Sequence, residues 1–231
     1  MRRPDADRAR LRWGVIFEVD AILFDIDGTL VDSTGTVERA WRMWATRRGL
    51  PAEEILAVCH GRRTEDTMAD LLPADEVPDA VAELGRLELG DLDEVVALPA
   101  AREMLALLPS DRWAAVTSGS GPLMRARLEA AGLPVPDVLV AAEDVSAGKP
   151  DPQGYQRAAE ALGVQVTRCL VVEDAPAGLA AGRAAGASTI AVATSHPMAE
   201  LSSADAVVED LRSIRVEAGP AGVTVTVVAE D

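Results

Sequence analysis

A four-residue apolar run, Ala21-Ile22-Leu23-Phe24, stops abruptly at Asp25-Ile26-Asp27-Gly28-Thr29. A run this short, apolar at every position, reads as a strand buried on both faces. Two carboxylates two positions apart leave its end together, and Gly28 lets the backbone turn at once. Unpaired acids at a strand tip are costly to fold unless something cationic neutralises them. A plain Asp-Gly turn with a helix cap would explain the local string equally well, so the remainder of the chain has to decide.

After Pro99 short apolar runs recur at 113–116, 138–140, 170–172, 189–192 and 206–208. Helical stretches at 101–108, 122–131, 155–162 and 176–185 lie between them. That alternation predicts an α/β fold, a Rossmann-like parallel sheet covered on both faces. The alternating stretch 223–228 predicts a terminal edge strand or hairpin. Between 33 and 98 the pattern is helical and predicts no strand. Val37, Ala40, Trp41, Trp44 and Ala45 recur at helical spacing until Gly49-Leu50-Pro51 stops them. Another helix starts at 55–58 and breaks at Cys59-His60-Gly61, and Thr64 is a plausible cap for the next. Residues 75–96 read as one acidic helix. The expected organisation is a discontinuous α/β core, 1–32 plus 99–231, interrupted by a helical cap at 33–98.

Charge narrows the partners. The 231 residues carry a formal net charge of −16, which excludes nucleic acid and anionic membrane as partners. A small anionic substrate fits only where positive charge is concentrated locally. Lys149 is the one lysine in a chain whose other basic residues are arginine. It is either a chance surface residue or a compact point charge placed where a planar guanidinium would not fit. Cys59 and Cys169 form no C-x-x-C pair and read as small buried hydrophobes in a reducing, cytoplasmic setting. No stretch is apolar and long enough to span a membrane, and residues 1–12 read as a loose arm rather than a signal peptide.

In a parallel sheet the strand C-termini share one edge, where such sheets place ligands. The first strand ends in Asp25 and Asp27, the second in Thr117-Ser118-Gly119 and the fourth in Glu173-Asp174, while Lys149 follows the third. Four carboxylates sharing one ammonium would repel one another without a divalent cation, and hard oxygen ligands suit Mg²⁺. Only His60 and His196 are present, neither at ligand spacing for zinc. Thr117, Ser118 and Gly119 before a helix could bind a phosphoryl group or could simply cap the helix. Glu173-Asp174-Ala175-Pro176 could likewise be only an acidic cap.

Taken together and in this order, Asp25-Ile26-Asp27-Gly28-Thr29, Thr117, Lys149-Pro150 and Glu173-Asp174 resemble the signatures of the haloacid dehalogenase-like superfamily, over residues 23–193. Within it the chain is similar to the sugar- and polyol-phosphate phosphatases through three stretches. These are Cys59-His60-Gly61-Arg62-Arg63-Thr64, Val116-Thr117-Ser118-Gly119, and Val172-Glu173-Asp174-Ala175-Pro176-Ala177-Gly178. Ala100 departs from the pattern, standing where relatives usually carry glycine.

The resemblance implies hydrolysis of a small phosphorylated metabolite through a phospho-aspartyl intermediate. Asp25 would be the nucleophile and Asp27 the acid and base. Thr117, Ser118 and Gly119 would hold the phosphoryl group with Lys149. Asp25, the Asp27 backbone carbonyl, Glu173 and Asp174 would hold Mg²⁺. His60, Arg62 and Arg63, in a break between cap helices, would read the rest of the substrate, although either arginine could be only a solvated charge. β-Phosphoglucomutases share all four signatures and are the nearest alternative. A phospho-accepting signalling domain is the alternative from another class. Asp27 argues against a dehalogenase, and the lack of a second lysine against a phosphonatase.

Overall fold

A computed structural model describes residues 14–59 and 61–228. The expected loose arm at 1–12 and the substrate-reading role of His60 lie outside the described residues.

The described chain opens with β1 (Ile16–Val19), β2 (Ala21–Phe24) and the two-residue β3 (Val31–Asp32). Four helices follow: α1 (Thr34–Arg48), α2 (Ala52–Cys59), α3 (Thr64–Leu71) and α4 (Val77–Leu89). The chain returns through β4 (Val96–Ala97). It then runs α5 (Ala101–Ala106), β5 (Trp113–Val116), α6 (Gly121–Ala130), β6 (Leu139–Val140), α7 (Gln153–Ala161), β7 (Cys169–Glu173), α8 (Pro176–Ala185), β8 (Ser188–Val192) and β9 (Ala206–Val208). A hairpin of β10 (Ile214–Gly219) and β11 (Gly222–Val227) ends it.

Among the described residues the central sheet has six strands in the order β6-β5-β2-β7-β8-β9, every pairing parallel. β2 lies in the middle, with Leu23 opposite Ala114 on one side and Val171 on the other. Its side chains alternate between two cores, as the pleat requires. Ile22 and Phe24 join the larger cluster, where Phe24 meets Trp113 edge-on at 6.2 Å. Ala21 and Leu23 join the cluster on the opposite face, with Tyr155 and Val171. Burial on both faces explains why this strand is apolar throughout.

Helices α1–α4 pack around a cluster of their own, built on Trp41, Trp44, Ile55, Met68 and Leu84. Trp41 and Trp44 meet edge to face at 5.8 Å. The helically spaced apolar residues of α1 therefore face this local core.

Three expectations need correction. A strand does occur within 33–98: β4 pairs antiparallel with β3, Val31 opposite Ala97 and Asp32 opposite Val96. Two residues are too few to leave a periodic signal. The helix expected over 75–96 ends at Leu89, where Gly90 closes the last turn through its N–H to the Arg86 carbonyl. Thr64 is the first residue of α3 rather than its cap, which is Arg63. The stretch at 223–228 is half of a hairpin, but β11 is the middle strand of a three-stranded antiparallel sheet, between β1 and β10. Ala100 has φ +63°, in the left-handed region. That conformation is why glycine suits the position.

A separate core within α1–α4 predicts local unfolding. Trp44 is fully buried there, and Trp44→Ala should cost about 3–5 kcal/mol. Hydrogen exchange should speed up across 34–89 while β2, β5 and β7 keep their protection. Equal loss of protection in the sheet would show one undivided core.

Candidate active site

Parallel pairing brings the polar strand tips to one edge. Asp25 follows β2 with its N–H on the Val172 carbonyl at 3.0 Å, which ties it to the end of β7. Gly28 turns the chain with φ +82°, and a Cβ there would lie 2.1 Å from Asp174 Oδ2. Glycine is needed here both for the conformation and for the close approach of Asp174.

The Lys149 ammonium sits at the centre. Nζ donates to Asp25 Oδ1 and to Glu173 Oε1, each at 2.5 Å, and to the Val116 carbonyl at 3.2 Å. Glu173 is 1% exposed and its two oxygens accept four hydrogen bonds. The donors are Lys149, the Tyr155 hydroxyl at 2.7 Å, and the backbone N–H groups of Asp174 and Ala175. Gly178 on α8 leaves room for this carboxylate, since a Cβ there would fall 1.7 Å from Oε1.

Asp25, Glu173 and Asp174 bring carboxylate oxygens within 4.8 Å of one another, all buried. Burial pushes Asp25 well above the usual carboxylate range; Lys149 opposes this and the charges of Glu173 and Asp174 add to it. Asp174 is pushed up to about 7 by burial and then by Glu173, against the hydrogen bond from Ser195. Burial disfavours the Lys149 charge, but Asp25 and Glu173 outweigh it and raise its pKa. With all three carboxylates ionised, one ammonium leaves a surplus of two negative charges, and these hard oxygen donors suit a divalent cation that would hold them in that form. Asp25 and Asp174 have the more open oxygens, because those of Glu173 are already engaged.

Asp27 is set apart from this cluster. Its carboxylate accepts from the Ser33 hydroxyl at 2.7 Å and from Arg127 Nη1 at 2.6 Å, so only its backbone could join the metal ligands. Thr117 is buried, and its Oγ1 accepts the Gly119 N–H at 3.0 Å. The Ser118 hydroxyl reaches across to the Gly61 carbonyl at 3.0 Å, tying this loop to the break between α2 and α3. Asp25, Asp27, Thr117, Ser118, Gly119 and Asp174 all line one cleft between sheet edge and helices.

The paired arginines part company. Arg62 lines the cleft and is held by Asp70 at 2.9 Å. Arg63 turns the other way: Asp66 grips its guanidinium at 2.7 and 2.9 Å, and its side chain packs against Gly148 in the lysine loop. It lines a smaller pocket beside Lys149 and Tyr155.

Several residues at the site carried signals that the strand-tip reading passed over. Arg127 falls on the same helical face as Leu123, Met124 and Leu128, and Glu88 continues the Ala80–Leu84 spacing of α4. A charge at an apolar helical position is the signal for both. Tyr155 is the chain's one tyrosine. Ser195, which donates to the Asp174 carboxylate and contacts His196 Nδ1 at 2.8 Å, lies just past β8, another strand tip.

Comparison with known proteins agrees with this geometry. Residues 19–186 match the family model of the haloacid dehalogenase-like hydrolases. Hexitol phosphatase A of Escherichia coli is 45% identical over 214 residues, covering 90% of this chain and 96% of the relative. 2-Deoxyglucose-6-phosphate phosphatase 2 of Saccharomyces cerevisiae is 35% identical, covering 87% and 91%. A hydrolase from Pseudomonas syringae of known crystal structure superposes with a TM-score of 0.76 at 26% identity, covering 83% and 94%. With its four strand-tip motifs gathered at one sheet edge, the chain belongs to the haloacid dehalogenase-like hydrolase family.

Proposed function

We propose that the chain is a Mg²⁺-dependent phosphatase that hydrolyses a small sugar or polyol phosphate monoester through a phosphorylated Asp25. The observation that carries this reading is the buried junction of Asp25, Lys149, Glu173 and Asp174 at the strand tips. The phosphatase names of the hexitol and deoxyglucose relatives support the substrate class.

An Asp25 oxygen attacks phosphorus, forming an Asp–phosphate bond as the ester P–O bond breaks. Asp27 gives a proton to the departing alkoxide. Water then attacks the same phosphorus and yields its proton to Asp27; the Asp25–phosphate bond breaks, and alcohol and inorganic phosphate are the products. Lys149 keeps Asp25 aimed and offsets the charge of the incoming dianion. The Thr117 hydroxyl and the Ser118 N–H hold the equatorial oxygens, where transition-state charge resides, while the Gly119 N–H orients the Thr117 hydroxyl. Mg²⁺, held by Asp25, Asp174, the Asp27 carbonyl and in part Glu173, would supply charge neutralisation and a Lewis acid for the phosphoryl oxygens.

The cap at 33–98 has two tasks in this scheme. It excludes water, and it reads the alcohol part of the substrate. Val37, Trp41, Val81 and Leu123 line the same cleft as the acids and offer it apolar surface suited to the C–H face of a sugar or polyol, and Arg62 lines it too. Arg63, turned into the lysine loop, joins cap to core rather than substrate.

Phosphate release from sorbitol 6-phosphate and 2-deoxyglucose 6-phosphate, with and without Mg²⁺, tests the proposal. Asp25→Asn should lower turnover by at least about a thousandfold, since it removes the nucleophile. Substantial retained activity would remove Asp25 from that role. The cation also has a signature in stability. Burial raises both Asp25 and Asp174 in the folded state, Asp174 to about 7, so the contribution of Asp174 to stability falls as pH rises from about 4 toward 7 and that of Asp25 falls in the same direction. Bound Mg²⁺ offsets that loss, so it should raise Tm more at about pH 8 than at about pH 5. An equal rise at both would place the cation elsewhere.

A further inference from the structure

Asp27 is held on both carboxylate oxygens by residues that border the helical unit or lean on it. Oδ1 accepts from the hydroxyl of Ser33, the residue just before α1. Oδ2 accepts from Nη1 of Arg127, which rises from the buried face of α6 and is 2% exposed. The other arm of that guanidinium, Nη2, donates to Glu88 Oε1 at 3.0 Å. Glu88 lies near the end of α4, itself 7% exposed and 39 positions away in the chain. Arg127 and Glu88 both line the cleft, and Arg127 Nε is buried with no hydrogen-bond partner. A charged pair buried at a seam is weak as a source of stability, because desolvation consumes much of the attraction. Neither residue takes part in the hydrolytic steps above, so the pair needs another explanation.

We infer that Arg127 is the positioning residue for Asp27, and that Glu88 makes this positioning depend on the seating of α4 against α6. The inference rests on the reading of Asp27 as the proton carrier. The guanidinium is planar and permanently charged, so it pins Oδ2 and cannot itself take the proton. Oδ1, resting on the small Ser33 hydroxyl, is left to exchange a proton with the leaving oxygen and then with water. Arg127 spans the seam with a separate nitrogen for each acid, which a lysine could not do. When α4 is seated, Glu88 fixes one arm and the other arm aims Asp27; when α4 lifts, that brace is lost. Asp27 is thus correctly aimed only when the cleft is covered and water is excluded, which joins cap seating to proton transfer.

Two phosphate esters separate this from a merely structural seam. p-Nitrophenolate leaves without a proton, so phosphorylation of Asp25 by p-nitrophenyl phosphate bypasses Asp27, whereas the alkoxide of 2-deoxyglucose 6-phosphate needs it. In Arg127→Met, kcat for 2-deoxyglucose 6-phosphate should fall about a hundredfold, while the pre-steady-state burst of p-nitrophenolate stays within about threefold of wild type. Steady-state release from the aryl ester should slow, because attack by water still requires Asp27. Arg127→Met strands Glu88 without its partner, so Glu88→Gln/Arg127→Met is measured alongside and should show the same split. Glu88→Ala should give the split at smaller size; no change would remove Glu88 from the account. A parallel fall in burst rate and sugar-phosphate turnover, or no fall in either, would overturn the inference while leaving the phosphatase reading intact. A wild-type protein that releases phosphate from neither ester would overturn that reading, and the inference with it.

Discussion

The structure turns on one buried ammonium. Lys149 donates to carboxylates from two neighbouring strands, Asp25 after β2 and Glu173 at the end of β7, and to the carbonyl of Val116 at the end of β5. A single point charge thus bridges three strand ends that no local sequence pattern would bring together. A guanidinium is broad and planar, whereas the space here admits a compact cation with three donors aimed at three separate oxygens. Lys149 nevertheless leaves the acids under-compensated. That deficit is what marks the edge as a place for a divalent cation and a phosphate dianion rather than a finished ion-pair network.

Close packing around this charge explains glycines that the motifs contain. Gly28 makes room for Asp174, and Gly178 makes room for Glu173; any side chain at either would displace the carboxylate beside it. The motifs are therefore partly recipes for space. Tyr155 adds a buried donor to Glu173 from α7, so the acid with least exposure is also the most fully held. Asp25 and Asp174, less engaged, keep the oxygens that chemistry would use.

The sheet was legible because its strands are buried on both faces and read as short apolar runs, with α8 and β9 matching their expected limits at 176–185 and 206–208. The strand tips were legible for the same reason, since a carboxylate or hydroxyl ending an apolar run stands out. β4 was not, because two residues carry no period. The division of Arg62 from Arg63 was not, because consecutive residues at the entry to a helix point in different directions and only the tertiary neighbours, Asp70 for one and Gly148 for the other, reveal which way. Arg127 and Glu88 each broke an apolar helical face and could have been flagged singly. Their pairing is a product of how α4 meets α6, and a single sequence contains no measure of that.

The central claim is that Lys149 and a divalent cation together make the gathered acids tolerable at one rim. A crystal structure of the protein grown with Mg²⁺ and a phosphate mimic tests it most directly. The account predicts the ion between Asp25 and Asp174, the mimic against Thr117 and Ser118, and the Lys149 ammonium still bridging Asp25 and Glu173. An ion bound away from Asp174, or Lys149 withdrawn from Asp25, would contradict it.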